Sequence, residues 1–350
     1  MNHGIATIAQ FSEFASFDEI IDVRSPAEFA EDHIPQSINC PVLDDEQRRE
    51  VGTLYKQVSP FAARRIGAAY VSENIARHLR ESYLDRPKTW RPLIVCWRGG
   101  QRSGSMTLVF RRIGWDAQQM DGGYKRYRTL VLQSLAELPR KIQFRVVCGA
   151  TGSGKSRILH ALASLGEQVL DLEDLACHKG SVLGVLPDAP QPSQKMFESR
   201  LLGALQGLDS ARPVFIEAES RKIGSVHLPD ALIETMRSGE CLNIDAAFAA
   251  RVEFLLRDYA YFLAAPDWLN SRLDALQHLQ SRETLERWKG YATCGHWPEL
   301  VGQLLEQHYD PLYQRSQNRN YSGFGTPQSF VTDDLTPAGV EAVARQIIAA

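Results

Sequence analysis

Short apolar runs bounded by charge alternate with longer stretches of helical spacing over much of the chain. This alternation predicts α/β layering with mainly parallel sheets. Glu19-Ile20-Ile21-Asp22-Val23 reads as a short buried strand ending in a charged turn, and Pro92-Leu93-Ile94-Val95-Cys96 as another. That first unit closes near Ala117 to Tyr124. Thr129 to Leu138 has helical spacing, and Pro139 marks its end and a linker. A second strand-led unit opens at Gln143 to Cys148 and continues through Gln168 to Asp171 and Pro213 to Glu217. From about Ala246 to Tyr313 the spacing is helical, without strand-like alternation, whereas Leu186 to Ser193, with three prolines, is a loop. The predicted organisation is a domain over 1–138, a second over 141–245, and a mainly helical C-terminal appendage over 246–350 packed on the second.

Composition agrees with this layout. The 350 residues are 44% hydrophobic and 23% charged, ordinary for a two-domain globular chain. No apolar run approaches the roughly 20 residues that span a bilayer, and Met1 to Glu13 lacks the pattern of a secretory signal. Six scattered cysteines, at 40, 96, 148, 177, 241 and 294, form neither a disulfide framework nor a CxxC zinc site. The expectation is a cytoplasmic protein, without membrane attachment, acting as a monomer. Charge is uneven. Residues 1–50 carry 3 Lys/Arg against 11 Asp/Glu, whereas residues 51–140 carry 16 against 6. The basic segment suits a polyanionic partner such as RNA, with Arg111, Arg112, Lys125 and Arg126 as candidate contacts, or it is a solvated face.

Gly149-Ala150-Thr151-Gly152-Ser153-Gly154-Lys155-Ser156 meets G-x-x-x-x-G-K-[ST] at every fixed position, after an apolar strand and before a helix-compatible run. Glycines let such a loop curl until backbone N–H groups face a phosphate, and the helix N-terminus adds partial positive charge. Lys155 would reach the terminal phosphate and Ser156 would hold Mg²⁺. Glu217 and Glu219, at the end of one apolar strand, compete with Asp171, at the end of another, for a second carboxylate on the metal side. Arg221 and Lys222 follow and offer charge to a phosphate leaving group.

Cys96-Trp97-Arg98-Gly99-Gly100-Gln101-Arg102-Ser103 stands between a strand and an apolar helical run. Successive N–H groups converge at such a turn and stabilise an anion on or beside sulfur. Arg98 and Arg102 add cationic donors. The loop suits a thiolate nucleophile or a sulfur- or selenium-carrying cysteine. C-x5-R loops also serve cysteine phosphatases, which usually carry His before the Cys, where this chain has Val95.

Asp22-Val23-Arg24-Ser25-Pro26-Ala27-Glu28-Phe29, followed by His33-Ile34-Pro35-Gln36-Ser37-Ile38-Asn39, resembles the D-x-R-x-x-x-E-[FY]…H-I-P-G-A-x-N signature of rhodaneses. Asp121-Gly122-Gly123-Tyr124 resembles their closing turn. Gln36 and Ser37 depart from Gly-Ala, and Val51 to Arg91 is an insertion. A rhodanese-like loop followed by a P-loop is similar to the tRNA 2-selenouridine synthase family along nearly the whole chain. The likeness also rests on Asp171-Leu172-Glu173, His178-Lys179-Gly180-Ser181, Gln191-Pro192-Ser193-Gln194-Lys195 and Glu219-Ser220-Arg221-Lys222-Ile223-Gly224. The resemblance implies a transferase with no tightly bound cofactor, acting on the wobble uridine of tRNAs for Lys, Glu and Gln. Its 2-thiouridine sulfur would be alkylated by geranyl diphosphate, and selenium from selenophosphate would then replace the geranylthio group. A selenophosphate-supplying enzyme is an implied partner, and Trp97, Tyr124 and Tyr127 are either base-stacking or core residues. A runner-up reading, an ATP-dependent tRNA sulfurtransferase with a Cys96 persulfide, uses the same residues. The intact Cys96, Arg102 and Lys155 argue against a phosphate sensor with a vestigial cysteine loop, and a cysteine phosphatase fused to a kinase is a further alternative.

Overall fold

The computed structural model describes residues 4–313, 315 and 328–350, and the chain divides into two units at Ser134 and Leu135. In the first unit, strands β1 (Ile5–Ala6), β2 (Glu19–Asp22), β3 (Ile38–Asn39), β4 (Pro92–Val95) and β5 (Gln118–Met120) form a sheet of order β1-β5-β4-β2-β3, parallel throughout. Every residue of β4 is buried. A near-continuous apolar run is what a strand covered on both faces requires. The central strands β2 and β4 are therefore the two that hydrophobic patterning finds, and β1 and β3, two residues each at the edges, carry too little pattern to be read.

The insertion forms two helices, Asp45–Gln57 and Pro60–His78. Ser59 caps the second, its hydroxyl accepting the Ala62 N–H at 3.0 Å, and Pro60 occupies the first helical position. Val71 and Ile75 pack into the core beside Ile21, Ile94 and Phe110, while Arg64, Arg65 and Arg77 stay exposed. The basic excess of this segment is thus the outer face of a packed helix.

The second unit holds β6 (Phe144–Gly149), β7 (Gln168–Leu170), β8 (Val214–Glu217), the hairpin β9 (Lys222–Ile223) and β10 (Val226–His227), then β11 (Glu240–Ala246) and β12 (Gln328–Thr332). Its main sheet runs β12-β11-β6-β8-β7, parallel throughout, with β6 in the centre. The helical appendage is real over Phe248–Tyr309, but the chain then returns to the sheet. β12 pairs with β11, and the helix Pro337–Ala349 packs on the helix Lys155–Ser164 through Val340, Val343, Ala344 and Ile347. The last segment of the 246–350 region therefore belongs to the P-loop layer. The appendage has its own core, with Phe262, Leu269, Leu273, Trp288 and Leu300 buried. Among the described residues, no helix is long and apolar enough to cross a membrane.

Candidate functional site

Cys96 directly follows β4, and the helix Gln101–Ile113 starts five residues later. Its sulfur accepts the Gly100 N–H at 3.2 Å and the Ser103 hydroxyl at 3.0 Å. Gln119 on β5 donates to the Gly100 carbonyl at 2.9 Å and to the Ser103 hydroxyl at 3.0 Å, which fixes both donors. One backbone N–H and one hydroxyl face the Cys96 sulfur, where successive backbone N–H groups are expected from the sequence, and Ser103, fully buried, supplies the hydroxyl. The closing turn explains its glycines. Gly123 has φ of +54°, and a Cβ there would stand 2.2 Å from the Cys96 carbonyl oxygen, whose partner is the Tyr124 N–H at 2.8 Å.

The arginines differ from expectation. Arg102 does not face the sulfur. It makes a forked pair with Glu28, at 2.6 and 3.3 Å, so its charge holds the helix start to the signature segment. Although burial works against it, this pair with Arg102 holds the Glu28 carboxyl below its ordinary range. Arg98 and Gln101 are exposed at the rim, and Arg98 has no ion pair among the described residues. The rest of the signature is structural. Arg24 pairs with Asp22 at 2.6 Å, donates to the Asp32 carbonyl, and lies 3.8 Å over the Tyr124 ring. Tyr124 and Tyr127 are buried, and Tyr124 donates to Asp32 at 2.7 Å, so both are core residues. Trp97 is half-buried against Tyr124, with ring centroids 5.4 Å apart.

The four proposed RNA contacts lie on two elements. Arg111 and Arg112 end the helix Gln101–Ile113, whereas Lys125 and Arg126 begin the helix Gly123–Glu137. Arg111 donates to the Ala117 carbonyl and Arg126 to the Ile8 carbonyl, while Arg112 and Lys125 are exposed.

In the second unit the loop Gly149–Ser156 joins β6 to the helix Lys155–Ser164 at the carboxyl edge of the sheet, where open α/β sheets bind ligands. Gly149 has φ of +149°, and a Cβ there would meet Ser153 Oγ at 2.5 Å and the Ile244 carbonyl at 2.8 Å. Thr151, Gly152, Gly154, Lys155 and Ser156 line a cavity of about 670 Å³. Ser153 is buried beneath, its hydroxyl without a partner among the described residues. Lys155 Nζ donates to the Gly149 carbonyl at 2.9 Å, and Ser156 donates to Glu173 at 2.6 Å. Arg251, buried on the helix Phe248–Asp258, steadies the loop by donating to the Thr151 carbonyl at 2.9 Å and pairing with Asp310 at 2.5 Å.

Carboxylates crowd the same edge. Glu217 ends β8, the neighbour of β6, but does not line the cavity. It accepts the Leu172 and Glu173 N–H groups at 3.0 and 2.9 Å and so positions the helix Leu172–Ala176. Its other oxygen is buried with no partner among the described residues. Burial, then the nearby Glu173 charge, pushes Glu217 well above the ordinary carboxylate range. The same two causes push Glu219 up to about 7. Burial raises Glu173 as well. Asp171 caps the Leu172–Ala176 helix through the Asp174 N–H and pairs with His160 at 2.8 Å. Glu173 and Glu219 are thus the acids at the Lys155–Ser156 end, and Glu173 is the partner that reasoning from strand ends missed. Arg221 lines the cavity and pairs with Asp230, whereas Lys222 lies outside it, exposed on β9.

Among the described residues, no group of three or more His, Cys, Asp or Glu side chains is arranged to hold a metal ion. Ser156 and Glu173 offer oxygen ligands, which suit Mg²⁺ when phosphate and water complete its shell. All six cysteines are free, and Cys40 and Cys148 are buried structural thiols, as their surroundings predict.

The fold and both loops define a rhodanese-like domain followed by a P-loop domain. The family described as tRNA 2-selenouridine synthase AAA domain matches residues 142–281, and the Rhodanese-like domain family matches residues 7–130. The tRNA 2-selenouridine synthase of Alcanivorax borkumensis is 32% identical over 89% of this chain and 93% of its own length. That of Nitrosomonas europaea is 37% identical over 70% of this chain, and the aligned part spans 64% of that relative. Among solved structures, a rhodanese-related protein from Thermoplasma volcanium matches 35% of this chain and 88% of its own at 18% identity and a TM-score of 0.23. The chain belongs to the tRNA 2-selenouridine synthase family.

Proposed function

We propose that this chain is a cytoplasmic tRNA-modifying transferase that converts wobble 2-thiouridine to 2-selenouridine in two steps. The observation that supports it best is the pairing, in one chain, of a cysteine whose sulfur accepts two hydrogen bonds with a phosphate loop that lines a cavity of about 670 Å³. In the first step the 2-thiouridine sulfur attacks the carbon bearing oxygen in geranyl diphosphate. A C–S bond forms, the C–O bond breaks, and diphosphate leaves. Backbone N–H groups of Gly152 to Ser156 and the Lys155 ammonium receive that developing charge. Magnesium, when bound beside Ser156, supplies further charge neutralisation. Lys155 donates to its own loop carbonyls at 2.9 and 3.4 Å in the free protein, contacts that a diphosphate oxygen would replace.

In the second step selenium from selenophosphate bonds to the uridine carbon, the C–S bond breaks, geranylthiol leaves, and the P–Se bond is hydrolysed to phosphate. Cys96 is the residue assigned to this selenium anion, because Gly100 and Ser103 already aim donors at its sulfur. The tRNAs for Lys, Glu and Gln are the substrates implied by resemblance. Mass spectrometry of tRNA nucleosides from cells with and without the gene tests the assignment. 2-Selenouridine should vanish and 2-thiouridine persist in the deletion, and unchanged 2-selenouridine would refute it.

A further inference from the structure

The turn between the helices Asp45–Gln57 and Pro60–His78 carries apolar side chains that the core does not take. Tyr55, Val58 and Phe61 are 57%, 67% and 69% exposed. Between Glu50 and Glu73 the chain has three cations, Lys56, Arg64 and Arg65, and no acidic residue. All three are exposed, and the Arg65 guanidinium lies 5.9 Å from the centre of the Phe61 ring. The Ser59 cap also sets the positive end of the second helix's dipole at this tip.

The tip is joined to the cysteine loop along one helix face. Arg48, Gly52, Tyr55 and Lys56 are spaced i, i+4, i+7 and i+8, which places them in one stripe. Arg48 stands 3.7 Å from Glu28, the carboxylate that also holds Arg102. From Arg48 to Gln57 the helix extends about 14 Å, at roughly 1.5 Å per residue. A ligand that reaches both places therefore meets them with different parts of itself. Aromatic rings interleaved with cations match a single-stranded polyanion, whose bases stack on the rings while its phosphates meet the charges. A neutral apolar partner would leave Lys56, Arg64 and Arg65 unmatched, and a duplex has no free base to offer the rings.

We propose that this tip is an RNA contact on which Phe61 and Tyr55 stack unpaired nucleotides of the substrate tRNA, other than the uridine being modified, while Lys56, Arg64 and Arg65 hold their phosphates. The inference rests on the tRNA-modifying reading above and adds where unpaired RNA is gripped and by which side chains.

The test is binding of the full chain to a 2-thiouridine-bearing tRNA for Lys and to a fully base-paired RNA of similar length. Phe61→Ala should weaken the tRNA roughly five- to 150-fold, the usual range for one stacked base, and leave the log–log salt slope unchanged because no charge is lost. Binding of the paired RNA should stay within about twofold, since it has no base to stack. Phe61→Leu should lose as much as Phe61→Ala, whereas Phe61→Trp should stay within about twofold of the wild type, because a ring and not bulk is required. Arg65→Gln should lower the slope by about 0.7. Wild-type affinity in both Phe61→Ala and Tyr55→Ala, with unfolding midpoints unchanged, would overturn the tip as an RNA contact and leave the tRNA-modifying reading standing. The same holds if Phe61→Ala keeps its tRNA affinity but no longer binds phosphatidylserine vesicles that the wild type binds, which would assign the tip to a membrane surface. A wild type with no measurable affinity for the tRNA would overturn both.

Discussion

The cysteine loop and the phosphate loop sit at equivalent places, each between a parallel strand and a helix N-terminus, yet they differ in how far their polar groups are satisfied. Around Cys96 the groups that face or brace the sulfur have partners within the same unit, although Arg98 stays exposed without an ion pair among the described residues. Gly100 and Ser103 face the sulfur, Gln119 fixes both, and Arg102 is neutralised by Glu28. Around Lys155 the balance is the reverse. Glu173 and Glu219 repel each other, Glu217 and Ser153 each bury an oxygen without a partner among the described residues, and Lys155 turns to its own loop. The groups bracing the cysteine sulfur are satisfied by the protein itself, whereas several polar groups beside the phosphate loop are not. Buried unpaired polar atoms are rare in folded proteins and mark places where a ligand, ion or water belongs.

The sharpest way to break this comparison is Cys96→Ser. It keeps the shape of the nest and removes the thiol proposed to carry selenium, so 2-selenouridine formation should fall to background with the fold intact. Near wild-type selenation measured by nucleoside mass spectrometry would remove Cys96 from the mechanism. Next in size is Lys155→Ala, expected to slow geranyl transfer by about 10²–10³, the usual loss when a contact at developing charge is removed. Supplied with S-geranylated tRNA and selenophosphate, this variant should still make 2-selenouridine, whereas Cys96→Ser should keep more geranyl transfer than selenation. Equal loss of both half-reactions in both variants would mean the loops do not divide the work.

Smaller effects sharpen the contrast. Arg102→Ala leaves Glu28 without its forked partner and should destabilise the first unit by about 1–3 kcal/mol in denaturant unfolding. A loss below a few tenths would show that the pair is not structural. In the second unit Glu219 adds a pH dependence whose sign follows from its raised pKa. Its folded carboxyl releases its proton near 7, well above the unfolded value near 4.5, so the folded state binds the extra proton between those limits. The contribution of Glu219 to stability without ligand should therefore be fullest below about 4.5 and decline as pH rises towards 7. Glu219→Gln should flatten that decline, and an unchanged profile would assign it elsewhere. Smallest is the salt response of tRNA binding. Charge reversal at exposed Arg112 or Lys125 should lower the log–log slope by about 0.9 per duplex contact or 0.7 per single-strand contact. Arg111 and Arg126, which already donate to carbonyls, should change it less, and a salt-independent affinity would contradict the basic segment as a tRNA surface.

Both loops and the central strands were legible because each rests on contiguous residues: a phosphate motif, a cysteine loop, and apolar runs such as Leu93 to Val95. What escaped depends on distant pairing. Arg102 reads as a donor for sulfur until Glu28, 74 residues away in sequence, is seen to hold it. Glu173 gains its place from the backbone bonds that Glu217 makes across two strands. β11 was hidden because its Glu-Cys-Leu-Asn-Ile-Asp-Ala sequence mixes polar residues with a buried stripe. β12, five residues at the edge with one buried side chain, gives hardly any pattern at all. Tyr124 and Tyr127 show the opposite limit, since an aromatic beside a catalytic loop looks the same in sequence whether it stacks on a base or fills the core.

The late return of β12 to the sheet has a consequence in time. β6, β7, β8 and β11 are all complete by Ala246, yet the β12 edge and the covering helix come from residues 328–349. A ribosome adding roughly 5–20 residues per second needs about 5–20 s to travel from the end of β11 to the end of the chain. Throughout that interval the apolar face of the Lys155–Ser164 helix, with Ile158 and Leu162, lacks Val343 and Ile347 to cover it. The first unit, whose strands are all made by Met120, can fold as a nascent domain long before. The Lys155–Ser164 helix, which follows the phosphate loop, thus gains its apolar cover only when the helix Pro337–Ala349 docks on it.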